Sequence, residues 1–144
     1  MNKFNLVFLI CILILNNIIA QPKEDWLKIS DNDKLIFIDK LNIVKLDNEI
    51  NVWVFEQYKK PIDLEEVEKD IYFVKTKYVI EKEILRYKID DVIYYDRYKN
   101  VVKSFHYNSS YNDLIYRYNL PIIKNSEMEL IYLKCIEILG QSNN

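Results

Sequence analysis

Residues 50–58 read INVWVFEQY, a strand-length run that is apolar in both registers. Successive side chains of an extended chain point to opposite faces, so Ile50, Val52 and Val54 share one face while Trp53 and Phe55 share the other. An antiparallel strand with one wet face alternates apolar and polar residues. This one does not, so something must cover the sheet to which it belongs. The C-terminal segment is the natural cover. Ser126 and Glu129 have the spacing of a capping box. Met128, Ile131, Cys135 and Ile138 then recur on one helical face, and Gly140 stands where a C′ glycine ends a helix. The pattern predicts a helix over 126–139 packed on the sheet through that stripe, with Cys135 buried.

Outward from residue 50, the composition favours β structure, being rich in Tyr, Ile and Val with a single glycine. Turns therefore fall to Asn and Asp, which tolerate positive φ and bond their own backbone. Asp31-Asn32-Asp33, Asp47-Asn48 and Lys99-Asn100 each separate apolar runs. Between them the pattern predicts strands at 26–29, 35–39, 50–58, 71–89, 92–95 and 101–107. The 71–89 run is long enough to require a bend or a break. The acidic stretch PIDLEEVEKD at 61–70 reads as a loop with at most one helical turn. The expected fold class is α+β: an antiparallel meander of about six strands with a C-terminal helix on one face.

The chain opens with the three parts of a secretory signal: Lys3, an apolar run over 6–15, and Ile18-Ile19-Ala20 before Gln21-Pro22. Asn16-Asn17 interrupt the run after about ten residues, where a membrane span needs about twenty. Cys11 follows Ile10 inside that run, whereas a lipoprotein signal wants a small residue before its cysteine. The reading is therefore a cleaved signal over 1–20 and one mature domain over 21–144, with no transmembrane segment left after cleavage. Removal takes one lysine and no acid, leaving 19 basic and 22 acidic side chains, a net charge near −3. That balance carries no footprint for nucleic acid. With Cys135 the one mature cysteine, no internal disulfide is expected and packing must hold the fold.

The inventory gives no catalytic, metal or cofactor site. His106 is the only histidine, and no Gly-x-Ser-x-Gly, Cys–His pairing or phosphate loop is present. The carboxylates Asp63, Glu65, Glu66, Glu68 and Asp70 read as a solvated charge run. Tyrosines are more telling, because Tyr94, Tyr95, Tyr98, Tyr107, Tyr111, Tyr116 and Tyr118 fall in one quarter of the chain. Tyrosine joins apolar area to a polar tip, as binding surfaces require. Tyr94, Tyr95, Tyr98, Tyr107 and Tyr111 are thus the candidate binding residues; the alternative is that they cover a sheet face and its hairpin ends. Asn108-Ser109-Ser110 is formally a glycosylation acceptor.

With the elements in order, the chain from 26 to 136 resembles the surface-adhesin protein E-like family of small exported bacterial proteins. The resemblance rests on DWLKI at 25–29, Ile36-Phe37-Ile38-Asp39, Ile43-Val44 and Val52-Trp53-Val54. It continues through Arg86-Tyr87-Lys88-Ile89, the hairpin from Tyr95-Asp96 to Val101-Val102-Lys103-Ser104, and a closing helix bearing Cys135. It implies a curved antiparallel sheet with the helix on its concave face, tied to a central strand by a disulfide. Here the strand position falls near Glu81-Lys82, so the tie is missing, and Asn100 serves a turn where the family has glycine. A disulfide closing about fifty residues would contribute about 4 kcal/mol. Burial of Met128, Ile131, Cys135 and Ile138, at roughly 1.5–3 kcal/mol for each large side chain, is enough to keep the helix docked. The family's named member is a dimeric surface adhesin that binds host matrix proteins, plasminogen and haem. The implied function is an exported, non-enzymatic binding protein of the bacterial envelope, periplasmic or at the cell surface, with a protein partner and a homodimer as expectations. A periplasmic structural or accessory subunit is the alternative. No cofactor and no binding residue carry over from the family.

Overall fold

The computed structural model describes residues 23–65, 67–107 and 117–141, with Glu68 described by its backbone alone. The expected signal segment and Tyr111 lie outside these residues. Eight strands form one antiparallel sheet: β1 (Trp26–Asp31), β2 (Lys34–Asp39), β3 (Val44–Leu46), β4 (Glu49–Leu64), β5 (Val67–Glu81), β6 (Arg86–Tyr95), β7 (Val101–His106) and β8 (Leu120–Pro121). Helix α1 (Glu127–Gln141) follows. The sheet is open and curved.

The long strands β4, β5 and β6 lie side by side, and each outer flank of this trio is completed by two short strands. β2 and β3 pair successive stretches of β4, separated by a 3-10 turn at Lys40–Asn42. β8 and β7 pair successive stretches of β6. β1 extends the β2 side. Asp47, Leu85, Lys99 and Asn125 take left-handed φ of 48°, 48°, 63° and 61°, so non-glycine residues make the turns in a glycine-poor chain.

The architecture agrees with the α+β expectation, but the strand count is higher. The stretch 61–70 is not a loop. β4 and β5 continue through it, pairing Ile62 with Ile71 and Leu64 with Val67. Charge along the segment masked its alternating Ile62, Leu64, Val67 and Ile71, of which Ile71 is fully buried. A register shift after Gln57 absorbs Pro61, which has no N–H to give a ladder. The 71–89 run breaks at the turn before Arg86, and 92–95 is the second half of β6 rather than a strand of its own. β3 and β8, of three and two residues, are too short to leave a periodic trace.

Helix α1 is capped as its sequence requires: the Glu129 N–H donates to Ser126 Oγ at 3.2 Å, and the Glu129 carboxylate accepts the Asn125 N–H at 2.6 Å. It runs one residue past Gly140, which is therefore helical and not a C′ terminator. Met128, Ile131 and Cys135 are buried against Ile36, Ile38, Ile50, Val52, Val54 and Ile80. A second cluster joins Val67, Ile71, Val74 and Val92 to Tyr58, Ile62 and Tyr94. Val74 lies opposite Glu56 and Tyr94, in register with the residues that face the helix. Cys135 is a free buried thiol, pushed up to about 12 by burial alone. Ile80 shares its cluster, while Glu81 alternates to the opposite face.

Candidate functional site

Two constellations stand out, one on each face of the sheet. On the helix face, the N-terminal end of α1 and the β1–β2 turn enclose a groove of about 710 Å³. Its walls include Ile36, Tyr58, Leu130 and Leu133, with Asp33, Glu127 and Glu129 supplying carboxylates. Its key cation is Lys34, whose Nζ lies 2.5 Å from Glu56 Oε1 and 2.9 Å from Glu127 Oε1. Glu56 is 5 % exposed and also accepts the Tyr58 hydroxyl at 2.9 Å. Burial opposes the Lys34 charge, but the hydrogen bonds to Glu56 and Glu127 outweigh it and hold the amine above its ordinary pKa. Burial, and then the Glu56 charge, push Tyr58 up to about 12. Burial also raises Glu127; Lys34 pulls it down and Glu56 pushes it back up, leaving it above the usual carboxylate range. Because Glu127 opens α1 while Lys34 and Glu56 lie on β2 and β4, this triad latches helix to sheet.

The opposite face carries aromatic rings. Trp53 and Phe55 project from β4 away from the helix, in the register that also holds Phe37 of β2, Phe73 of β5 and Tyr95 of β6. Phe55 is the hub: its ring centroid lies 5.5 Å from Trp26, 6.4 Å from Phe37, 5.6 Å from Phe73 and 6.4 Å from Tyr95. All of these rings are half-buried. Two ammonium groups sit on them. Lys75 Nζ is 4.8 Å from the Trp53 ring and 5.5 Å from Trp26, and pairs with Glu24. Lys99 Nζ is 5.5 Å from Phe73 and 6.0 Å from Phe55. Burial, and then the Glu24 charge, raise the Tyr95 hydroxyl.

The candidate tyrosines divide between these faces. Tyr94 meets Phe105 edge-on at 5.9 Å, and Tyr107 stacks on Phe105 at 6.2 Å, forming a small cluster on the helix side of β6–β7. Tyr95 joins the Phe55 group on the opposite side. Tyr98, 74 % exposed, caps the β6–β7 turn. His106 Nδ1 lies 2.6 Å from Asp91 Oδ1 in a surface chain of charges that continues through Lys77, Asp90 and Lys88. Among the described residues no group of three or more His, Cys, Asp or Glu is arranged to hold a metal ion. No helix among them is long and apolar enough to cross a membrane.

Sequence reading missed the aromatic face, although its signal was present. The double-sided apolarity of 50–58 reads as a sheet that something covers, but the two faces of this strand differ in kind: Ile50, Val52 and Val54 toward the helix, Trp53 and Phe55 away from it. The Lys34–Glu56–Glu127 triad left no signal, since its members lie 22 and 71 residues apart. No family model matches the chain, and neither a curated protein nor a solved structure matches it. The resemblance to the surface-adhesin protein E-like family thus rests on the residues quoted for it.

Proposed function

We propose that this chain is an exported, non-enzymatic binding protein of the bacterial envelope that recognises a protein partner through the helix-free face of its sheet. One observation carries the reading: the rings gathered around Phe55 occupy the face that α1 leaves uncovered. Aromatic side chains supply large contact area at low entropic cost, and they dominate the energetic centres of protein interfaces. The groove beside Lys34 and the triad that latches the helix lie on the other face, so the Phe55 group takes no part in docking α1. The export expectation for 1–20 and the family resemblance supply the compartment.

The test is binding of mature protein to immobilised envelope and extracellular-matrix proteins, comparing the native chain with Trp53→Thr and Phe55→Thr. Threonine keeps strand propensity while deleting the ring, and circular dichroism verifies that each variant is folded. The reading predicts binding that both substitutions abolish. Binding retained in both folded variants, or absent from the native chain, refutes it. Protease treatment of intact cells then separates surface display, in which the protein is cut, from a periplasmic location. A periplasmic accessory subunit is the second reading, favoured by the edge strands β1 and β7, each paired on one side only among the described residues.

A further inference from the structure

The charges at the rim of the aromatic face specify the partner more closely. Lys75 and Lys99 both rest on rings, but their charges are met differently. Lys75 is paired with Glu24. Lys99 has no carboxylate within ion-pair distance among the described residues, and its ammonium is held only over Phe55 and Phe73. Its neighbour Arg97 lies over the Tyr98 ring at 5.3 Å and likewise meets no carboxylate among those residues. Asp96, the acid of this turn, is already engaged: its carboxylate accepts the Tyr98 N–H at 2.9 Å, the Asn100 N–H at 2.9 Å and the Asn100 side-chain amide at 3.0 Å. These bonds also hold Asp96 below the ordinary carboxylate range, the Asn100 side chain contributing most. The turn is thereby fixed, with Lys99 in the left-handed conformation at φ 63° that sends its side chain back across the face.

In a chain with a formal net charge of −2, one ordered turn thus carries two cations without carboxylate partners among the described residues: Lys99 over Phe55 and Phe73 at the end of the row of rings, and Arg97 over Tyr98. Cations resting on aromatic faces remain able to accept an anion from the open side, and a ring beneath them gives that anion's apolar stem a surface to lie on. We infer that the partner is a protein segment that is both acidic and apolar: aromatic or aliphatic side chains packing on Phe55, Phe73 and Trp26, and a carboxylate meeting Lys99 and Arg97. The inference rests on the binding role proposed for this face and adds the sign of the partner's charge. A basic segment is disfavoured by the same geometry, because the two positions over the rings that a cation would take are filled by Lys75 and Lys99.

The chain offers its own reporter, since both of its tryptophans, Trp26 and Trp53, lie on this face. Mature protein is titrated with three synthetic peptides that share one alternating aromatic–aliphatic pattern and differ only in carrying Glu, Gln or Lys at the intervening positions, with tryptophan emission as the readout. The Glu peptide is expected to bind at least about tenfold more tightly than the Gln peptide, which is the factor one well-placed charge contact supplies. That preference should shrink as salt rises from about 0.05 M to about 0.5 M and the Debye length falls below the spacing of exposed charges. Lys99→Asn removes the ammonium while keeping a residue that accepts positive φ; combined with Arg97→Glu, it should erase the preference for the Glu peptide over the Gln peptide. Equal affinity for the Glu and Gln peptides overturns the acidic partner and spares the face as a binding surface. Tighter binding of the Lys peptide overturns the inferred sign of charge. No change in tryptophan emission with any of the three overturns the binding role of the face, and this inference falls with it.

Discussion

Replacing Lys34 with Met tests whether helix docking depends on the charged latch as well as on the apolar stripe. Methionine keeps the length of the stem and deletes the ammonium. Glu56, whose side chain is 7 % exposed, then keeps the hydrogen bond from the Tyr58 hydroxyl but no cation, while Glu127, 42 % exposed, turns to water. Removing one member of a buried pair costs about 3–5 kcal/mol. The Lys34 side chain retains 21 % exposure, so water partly solvates what remains, and the expected loss is about 2.5 kcal/mol. With a urea slope of about 1.5 kcal/mol/M, the midpoint falls by about 1.7 M. The assay is urea unfolding at neutral pH followed by tryptophan emission and far-ultraviolet dichroism together, which also checks two-state behaviour. Replacing both charges, as Lys34→Met with Glu56→Leu, should recover at least half of the loss, because an apolar pair avoids the desolvation that an orphaned carboxylate suffers. A single-variant loss under about 1 kcal/mol, or a double variant less stable than the single, refutes the latch.

Ile131→Ala, at a position 1 % exposed in the centre of the helix stripe, should cost about 3 kcal/mol by thermal or urea unfolding, and a loss under about 1 kcal/mol would mean the helix packs loosely. Because burial pushes the Cys135 thiol up to about 12, the folded protein should resist alkylation at pH 8, and Ile131→Ala should accelerate labelling at least tenfold by populating open states; rapid labelling of the native chain contradicts the burial. Ser126→Ala removes the cap of Glu129 N–H and should lower stability by about 1 kcal/mol, which Ser126→Asp restores. Burial pushes Asp90 up, but the Lys77 hydrogen bond at 2.8 Å and the Lys77 and Lys88 charges outweigh it and hold the carboxyl below its ordinary value. Its folded pKa is thus the lower one. Its contribution is full above about pH 4 and is lost as pH falls through the folded value, so Asp90→Asn should flatten the acid limb of the stability curve, with a loss at pH 7 below about 1 kcal/mol after solvent screening.

What the sequence disclosed follows from period and chemistry. The α1 stripe and its Ser126–Glu129 cap are local patterns, and both are present. The Asp47-Asn48 turn was legible because Asp sits easily at positive φ, as Asp47 does, whereas at Lys99-Asn100 the left-handed residue is Lys99 and not the asparagine expected to serve the turn. Leu85, at φ 48°, was not legible, since a bulky residue is forced there by the pairing of β5 with β6 and not by its own preference. The β4–β5 extension was hidden because an acidic, proline-bearing stretch reads as solvated, whereas its alternate residues Ile62 and Ile71 face a shared core. Of the site, five tyrosines were singled out, and of those described only Tyr95 reached the face now proposed to bind. Counting tyrosines along the chain ignores alternation, and Tyr94 and Tyr95, adjacent in sequence, are on opposite sides of the sheet.

The two faces divide the work of the fold. Ile36, Ile38, Ile50, Val52, Val54 and Ile80 present a low aliphatic surface that a single helix can cover, and the latch at Lys34 fixes its angle. Tyr78 and Tyr87 only flank that surface, and rings at the fully buried Ile38, Val52 or Val54 would have held α1 off the sheet and opened voids that cost stability. Placed on the other side, they pack laterally against one another across β1, β2, β4, β5 and β6. Ring-on-ring contact stabilises the sheet from its outer side without requiring a second layer. A half-buried aromatic surface is therefore affordable here, because the core on the helix face already specifies the fold. Loss of a ring such as Trp53 should then weaken binding far more than folding, which is the separation of effects that distinguishes a recognition surface from a hydrophobic core.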